Sequence, residues 1–178
     1  MQNSKCATEI QQKKYLMELL GNKRLVTYLL FRGTDHGWTY EDFHDRCDSK
    51  GPTICLFKLK DGDLIGGYTT SSWLSLFPGK YAGDSDAILF NLSCSRAFPS
   101  KRTGKDIYSS RGSGPCFDGG GSDSELGASE PFNGNEKCCS VGQKSSFDIP
   151  INDGINMLTN QNDGSFTIIE LEVWEIKQ

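Results

Sequence analysis

Seven cysteines and two histidines are the residues of this 178-residue chain whose types suit nucleophilic, redox or metal chemistry. Cys6, Cys47, Cys55, Cys94, Cys116, Cys138 and Cys139 are odd in number and contain no C-x-x-C pair, so neither a complete disulfide framework nor a zinc site is signalled. Reduced cytosolic thiols are the expectation. A redox role needs an accessible thiolate that attacks an oxidant, and the candidates for it are Cys116 and the vicinal Cys138 and Cys139, with Lys137 beside that pair. A general base or imidazole ligand would have to be His36 or His44. His44 is surrounded by Glu41, Asp42, Asp45 and Asp48, but one segment without a second ligand-bearing segment reads as a solvated acidic face, and no metal site is expected.

Two further stretches carry suggestive composition. The glycines at 112, 114 and 119–121 invite comparison with a phosphate cradle, yet neither G-x-x-x-x-G-K-[ST] nor a G-x-G-x-x-G between strand and helix is present, so no nucleotide or other cofactor is expected. Gly112, Gly114, Gly119, Gly120 and Gly121 read instead as places where backbones bend and cross closely, with Cys116 and Phe117 packed between them. Arg96, Lys101, Arg102 and Lys105 form a basic stretch over 95–105, a solvated loop with the chemistry to greet an acidic partner. The net charge of −4 argues against nucleic acid as a partner, which needs a concentrated basic face. No apolar run approaches the roughly 18 residues of a membrane span, and the N-terminus lacks the apolar core of a secretory signal; a soluble, cytoplasmic protein is the expectation.

The elements that must position these groups are mainly β. With 36% hydrophobic residues and 20 glycines, one loop-rich domain is expected. Residues 7–20 place Ile10, Leu16, Met17, Leu19 and Leu20 at helical spacing, and Gly21 stops the helix. We assign 1–24 to this amphipathic helix and 25–178 to the domain proper. Val26–Phe31 predicts a buried strand, 33–37 a turn, and Thr39 followed by Asp42 a capping box opening a helix over Tyr40–Cys47. Thr53–Leu59 and Leu64–Thr70 flank Asp61 and Gly62 as a β-hairpin, in which Gly66 and Gly67 predict a bulge or a close backbone approach. A short helical turn is predicted from Ser71 through Phe77, and strands over 86–93 and 106–110. A long C-terminal strand over 165–177, following a turn at 162–164, is expected in the middle of a sheet. Its Glu170, Glu172 and Glu175 give it either one wet face or a carboxylate carried to a buried partner.

The stretches LLFRGTDHGWTYEDFHDRCDSKGPT (29–53), LIGGYTTSSW (64–73), DAILFNL (86–92), IYSSRGSGPCFDGGGSD (107–123) and IIELEVWEI (168–176) together resemble the TLDc domain of oxidation-resistance proteins, in the family's order. The polar stretch 95–105 and the cysteine-containing loop 129–146 match no family pattern. The resemblance implies a two-sheet antiparallel β-sandwich with a few flanking helices. It implies a non-catalytic interaction module, linked to oxidative-stress protection and to binding of the vacuolar proton-pumping ATPase or another large assembly. Gly66, Gly67, Trp73, Gly119, Gly120 and Gly121 are then the motif positions, and Glu170 and Glu172 the expected polar contact. Two rivals from other classes remain open: an antioxidant that consumes peroxide through Cys116, Cys138 or Cys139, and a structural piece of a filament or ciliary-type scaffold.

Overall fold

The computed structural model describes residues 1, 3–21, 25–118, 125–128, 130–133, 146–152, 155–159 and 166–177. Gly119, Gly120, Gly121, Cys138, Cys139, Lys137 and the turn at 162–164 lie outside them. In chain order the described elements are α1 (Ile10–Leu19), β1 (Val26–Arg32), α2 (Gly33–His36), α3 (Tyr40–Cys47), β2 (Thr53–Leu59), β3 (Leu64–Thr69), β4 (Lys80–Ala82), β5 (Ile88–Asn91), β6 (Arg96–Pro99), β7 (Ile107–Ser109), β8 (Cys116–Phe117), β9 (Leu126–Gly127), β10 (Ile151–Asn152), β11 (Ile155–Asn156) and β12 (Ile168–Lys177). They form a six-stranded sheet ordered β1-β12-β2-β3-β5-β6, a four-stranded sheet ordered β4-β7-β8-β9, and the small pair β10-β11. All these strand pairs are antiparallel, and the two larger sheets make a mainly β sandwich.

The C-terminal strand occupies the interior of the large sheet, between β1 and β2. Its near-continuous burial follows from cover on both faces, which is why Leu171 and Val173 alternate with Glu172 and Trp174 and all four are buried. The hairpin forms around Gly62, whose φ of 102° favours glycine, and β2 and β3 pair without a register shift from Thr53↔Thr69 to Lys58↔Leu64. The bulge alternative is therefore not what Gly66 and Gly67 provide. They are close-approach positions: a Cβ on Gly66 would strike the carbonyl of Cys55 and the Phe90 ring, and one on Gly67 would strike the Phe117 ring of the opposing sheet.

The space between the sheets is filled by aromatic rings. Phe43 lies edge-on to Phe31 at 6.0 Å and to Trp73 at 5.9 Å, Trp73 edge-on to Phe117 at 5.5 Å, and Phe117 edge-on to Phe147 at 6.4 Å. Helix α3 contributes Phe43 because Thr39 and Asp42 form the predicted reciprocal cap, with the Thr39 hydroxyl accepting from the Asp42 amide. The other face of the large sheet presents Ile54, Leu56, Leu64, Phe90, Trp174 and Ile176, and Cys6 and Ala7 of the N-terminal strip before α1 (residues 3–9) and Leu16 of α1 cover them.

Four local expectations need correction. Strand β1 forms as predicted but is not a buried strand, since it is an edge strand on which Val26 and Tyr28 are exposed and only Phe31 and Arg32 are buried. Residues 71–77 hold no helical turn: Trp73 instead makes a parallel bridge to Asp48 and is pinned when its indole Nε1 donates to Thr53 Oγ1 at 3.0 Å. The stretch 95–105 is not all loop, since β6 pairs with β5 from Ile88↔Pro99 to Asn91↔Arg96. Pro99 fits there because β6 is an edge strand, where a missing amide costs no ladder bond. The predicted turn over 33–37 is a single helical turn, α2, closed by Gly37 at φ 111°.

Candidate functional site

The polar chemistry of the chain converges beneath the N-terminal strip. Strand alternation aims Glu172 of β12 at the outer face, where its side chain is fully buried. Four donors reach that carboxylate: Ser4 Oγ at 2.5 Å, the Lys5 amide at 2.8 Å, Arg32 Nε at 2.8 Å and Trp174 Nε1 at 3.0 Å. A buried carboxylate is tolerable only when paired and hydrogen-bonded, and here both conditions are met. The Arg32 guanidinium also donates to Asp35 at 2.8 Å and to the Asn3 carbonyl at 2.8 Å. Burial works against its charge, but the bonds to Asp35 and Glu172 outweigh burial and hold Arg32 above its ordinary value. Glu170 sits one step along the same face and accepts from the Thr34 amide at 3.1 Å and the Thr34 hydroxyl at 2.5 Å. Lys5 then closes the cluster from above, bonding Thr34 Oγ1 at 2.8 Å and Asp35 at 2.7 Å. Asp35, bonded by Lys5 and Arg32, is held down to about 2.

Of the two readings for the glutamates in β12, Glu172 takes the second: it is carried to a buried partner, Arg32. Arg32, Ser4 and Lys5 are not among the residues that the sequence singles out, although a β-prone strand ending in arginine is the natural complement to a buried strand bearing carboxylates. Signal for Ser4 and Lys5 was absent, because they act from a strip joined to the sheet only in the folded chain.

The histidines are likewise turned inward. His44 places Nδ1 2.6 Å from Asp48 Oδ1 and Nε2 2.9 and 3.0 Å from the carbonyls of Ser110 and Ser113, so it brackets α3 to the loop after β7. His36 Nδ1 accepts the Arg32 amide at 2.9 Å. Among the described residues no grouping of His, Cys, Asp and Glu is placed to hold a metal ion. Burial pushes the thiols of Cys6, Cys47 and Cys55 well up, and desolvation also raises that of the surface residue Cys94. Cys116 is buried in β8 with its sulfur 3.9 Å from the Asp118 carbonyl. Trp73 and Gly67 meet the Phe117 ring at the contact between the sheets, whereas Gly66 faces the Phe90 ring on the outer side of the large sheet.

A second carboxylate cluster knots the loops beside the smaller sheet. Asp84 accepts from the Thr69 and Thr70 hydroxyls and from the amides of Thr70 and Ser71, while its own amide donates to Asp106 Oδ2 at 2.9 Å. Those bonds overcome its burial and hold Asp84 below the ordinary carboxylate value.

A two-sheet sandwich whose imidazoles and strand carboxylates serve its own packing, with apolar groups such as Phe77 and Tyr81 left facing solvent, defines a regulatory or interaction module. The chain belongs to the TLDc domain family, which it matches over residues 1–177, a span that includes α1 and the N-terminal strip. It is also 29% identical over 89 residues to the MTOR-associated protein MEAK7 of Danio rerio, a match covering 49% of this chain and 19% of that protein. No helix among the described residues is long and apolar enough to cross a membrane.

Proposed function

We propose that this chain is a non-catalytic docking module of the TLDc type that works in the cytoplasm. Its partner in this reading is the peripheral sector of the vacuolar proton-pumping ATPase, and its cellular consequence is protection against oxidative stress. The observation that carries the reading is a division of labour. His36, His44, Glu170 and Glu172 spend their hydrogen bonds inside the fold, while Phe77, Tyr28, Tyr81 and Leu74 face solvent. Groups committed to internal bonds are poor acids and bases for a substrate, whereas exposed aromatic groups are what protein interfaces use. A relative named for its association with MTOR supports a protein partner.

Titration of the purified chain against the isolated peripheral sector of the ATPase tests the partner. Saturable one-to-one binding is expected. Absence of saturation at micromolar protein removes that partner from the reading.

A further inference from the structure

The surface around β4 differs in kind from the rest of the molecule. Trp73 is anchored inside, and the chain that follows it, 74–79, is carried out over the smaller sheet with Leu74 and Phe77 facing solvent; Phe77 is 77% exposed. Arg111 fixes this loop: its amide donates to the Leu76 carbonyl at 2.9 Å, and its guanidinium lies 4.3 Å from the centre of the Phe77 ring. One strand further on, Tyr81 and Tyr108 pair at 5.1 Å, and Lys105 stands over Tyr81 at 5.5 Å. Gly79 has no room for a side chain, because a Cβ there would meet the Tyr108 ring, so the aromatic pair and the loop are fitted to each other.

The charge of this face is cationic apart from Asp48, whose carboxylate accepts the Ser75 amide at 2.7 Å and is tied to His44 Nδ1 at 2.6 Å. Residues 74–83 and 107–113 contain no aspartate or glutamate, while Lys80 and Arg111 lie within them and Lys105 beside them, all exposed, on a chain of net charge −4. The loop 101–105, with Arg102, borders the end of β4, since a Cβ on Gly83 would lie 3.2 Å from the Gly104 Cα. The acids closest in sequence, Asp84 and Asp106, are buried and bonded to Thr69, Thr70 and Ser100. Among the described residues β4 pairs only with β7, so it is the edge of its sheet, and an extended segment can lie along it.

We propose that this face binds a short acidic segment of a partner protein. Its carboxylates meet Lys80, Lys105 and Arg111, an apolar side chain rests on Phe77 and Leu74, and its backbone follows the β4 edge. The proposal rests on the docking-module reading and assigns that reading a surface and a partner chemistry. An anionic bilayer shares the charge but cannot supply the strand-edge hydrogen bonds that an extended segment makes along β4.

The test pans a random dodecapeptide library on the intact chain and measures the selected peptides by fluorescence anisotropy. Enrichment of Asp and Glu around an aromatic or aliphatic residue is expected, with affinity that falls as salt rises. Phe77→Ser and Arg111→Glu, both exposed and therefore expected to keep the parent's thermal unfolding, should each weaken binding about tenfold or more. The proposal is overturned if no acidic sequences are enriched, if the two variants bind as the parent does, or if phosphatidylserine vesicles bind and the peptides do not. The same variants titrated against the ATPase sector separate the two readings. Parent-like binding by both variants overturns this surface and leaves the docking module standing, whereas failure of the parent itself removes the partner and leaves the peptide result to decide the surface.

Discussion

The two faces of the six-stranded sheet are closed by different physics. The inner face is sealed by shape: rings from β1, α3, β8 and residues 73, 132 and 147 meet edge-on, and Gly67 leaves the space that the Phe117 ring fills. The outer face is sealed by a strip of chain near the N-terminus, held by a buried carboxylate with four donors in addition to apolar cover. Aromatic packing degrades gradually as atoms are removed. A paired buried charge fails abruptly, because loss of one partner strands the other.

Two substitutions of similar size distinguish these modes. Phe117→Ala should cost about 3–5 kcal/mol through lost contacts and a cavity. Arg32→Met should also cost about 3–5 kcal/mol, by leaving the Glu172 carboxylate buried without its cation. Only the second should be repaired chemically: adding Glu172→Gln to Arg32→Met removes the stranded charge and should recover a large part of the loss in urea unfolding. If the double variant is no better than Arg32→Met, the charge account of the outer face is wrong.

A smaller effect is expected where the inner face uses a polar pin. Trp73→Phe keeps a ring against Phe43 and Phe117 but removes the indole donor to Thr53 Oγ1, leaving a buried hydroxyl short of a partner at a cost of about 1–3 kcal/mol. Thr53→Val made together with it should bring the cost back down. Smaller again is Thr39→Ala, which removes the cap of α3 for about 1 kcal/mol, read as a lowered urea midpoint. It sharpens the contrast because α3 holds Phe43 in the inner aromatic cluster and leaves the outer face alone.

The same contrast explains what was legible in the sequence. The hairpin and α3 are written in adjacent residues, Asp61 with Gly62 and Thr39 with Asp42, so local chemistry was enough to place them. Strands β4 and β6 are edge strands of three and four residues, one beginning with Lys80 and the other ending with Pro99, and only their neighbours make them strands. Aromatic positions such as Trp73 and Phe117 announce burial by type, which made the inner face partly readable. The outer clamp is different, since Ser4 and Glu172 are 168 positions apart and neither residue alone signals the other. The cationic stretch after β5 is a line of charge in the sequence, but the fold divides it. Arg96 points to Met157, Lys101 lies 4.0 Å from Asp148, and Lys105 joins the aromatic face at β4.

The least costly way to perturb the outer face is to lower the pH. Asp35 is exposed and holds Lys5 and Arg32 at 2.7 and 2.8 Å, and those bonds lower it from an ordinary 3.8 to about 2. A carboxyl group whose folded value is depressed stabilises fully above its unfolded value, and that contribution disappears as pH falls through the folded value. The window is therefore from 3.8 down to about 2. Asp84 is also held low, so the parent loses stability there from both sides of the sheet, and acid unfolding of the parent alone does not isolate the clamp. The difference between the parent and Asp35→Asn does. Above the window the parent should have the higher urea midpoint, by the small margin expected of an exposed ion pair. The gap should close as pH approaches 2, because the protonated aspartic acid and the asparagine are then both neutral. A gap that stays constant across the window would mean that Asp35 holds the strip through hydrogen-bond geometry and not through its charge.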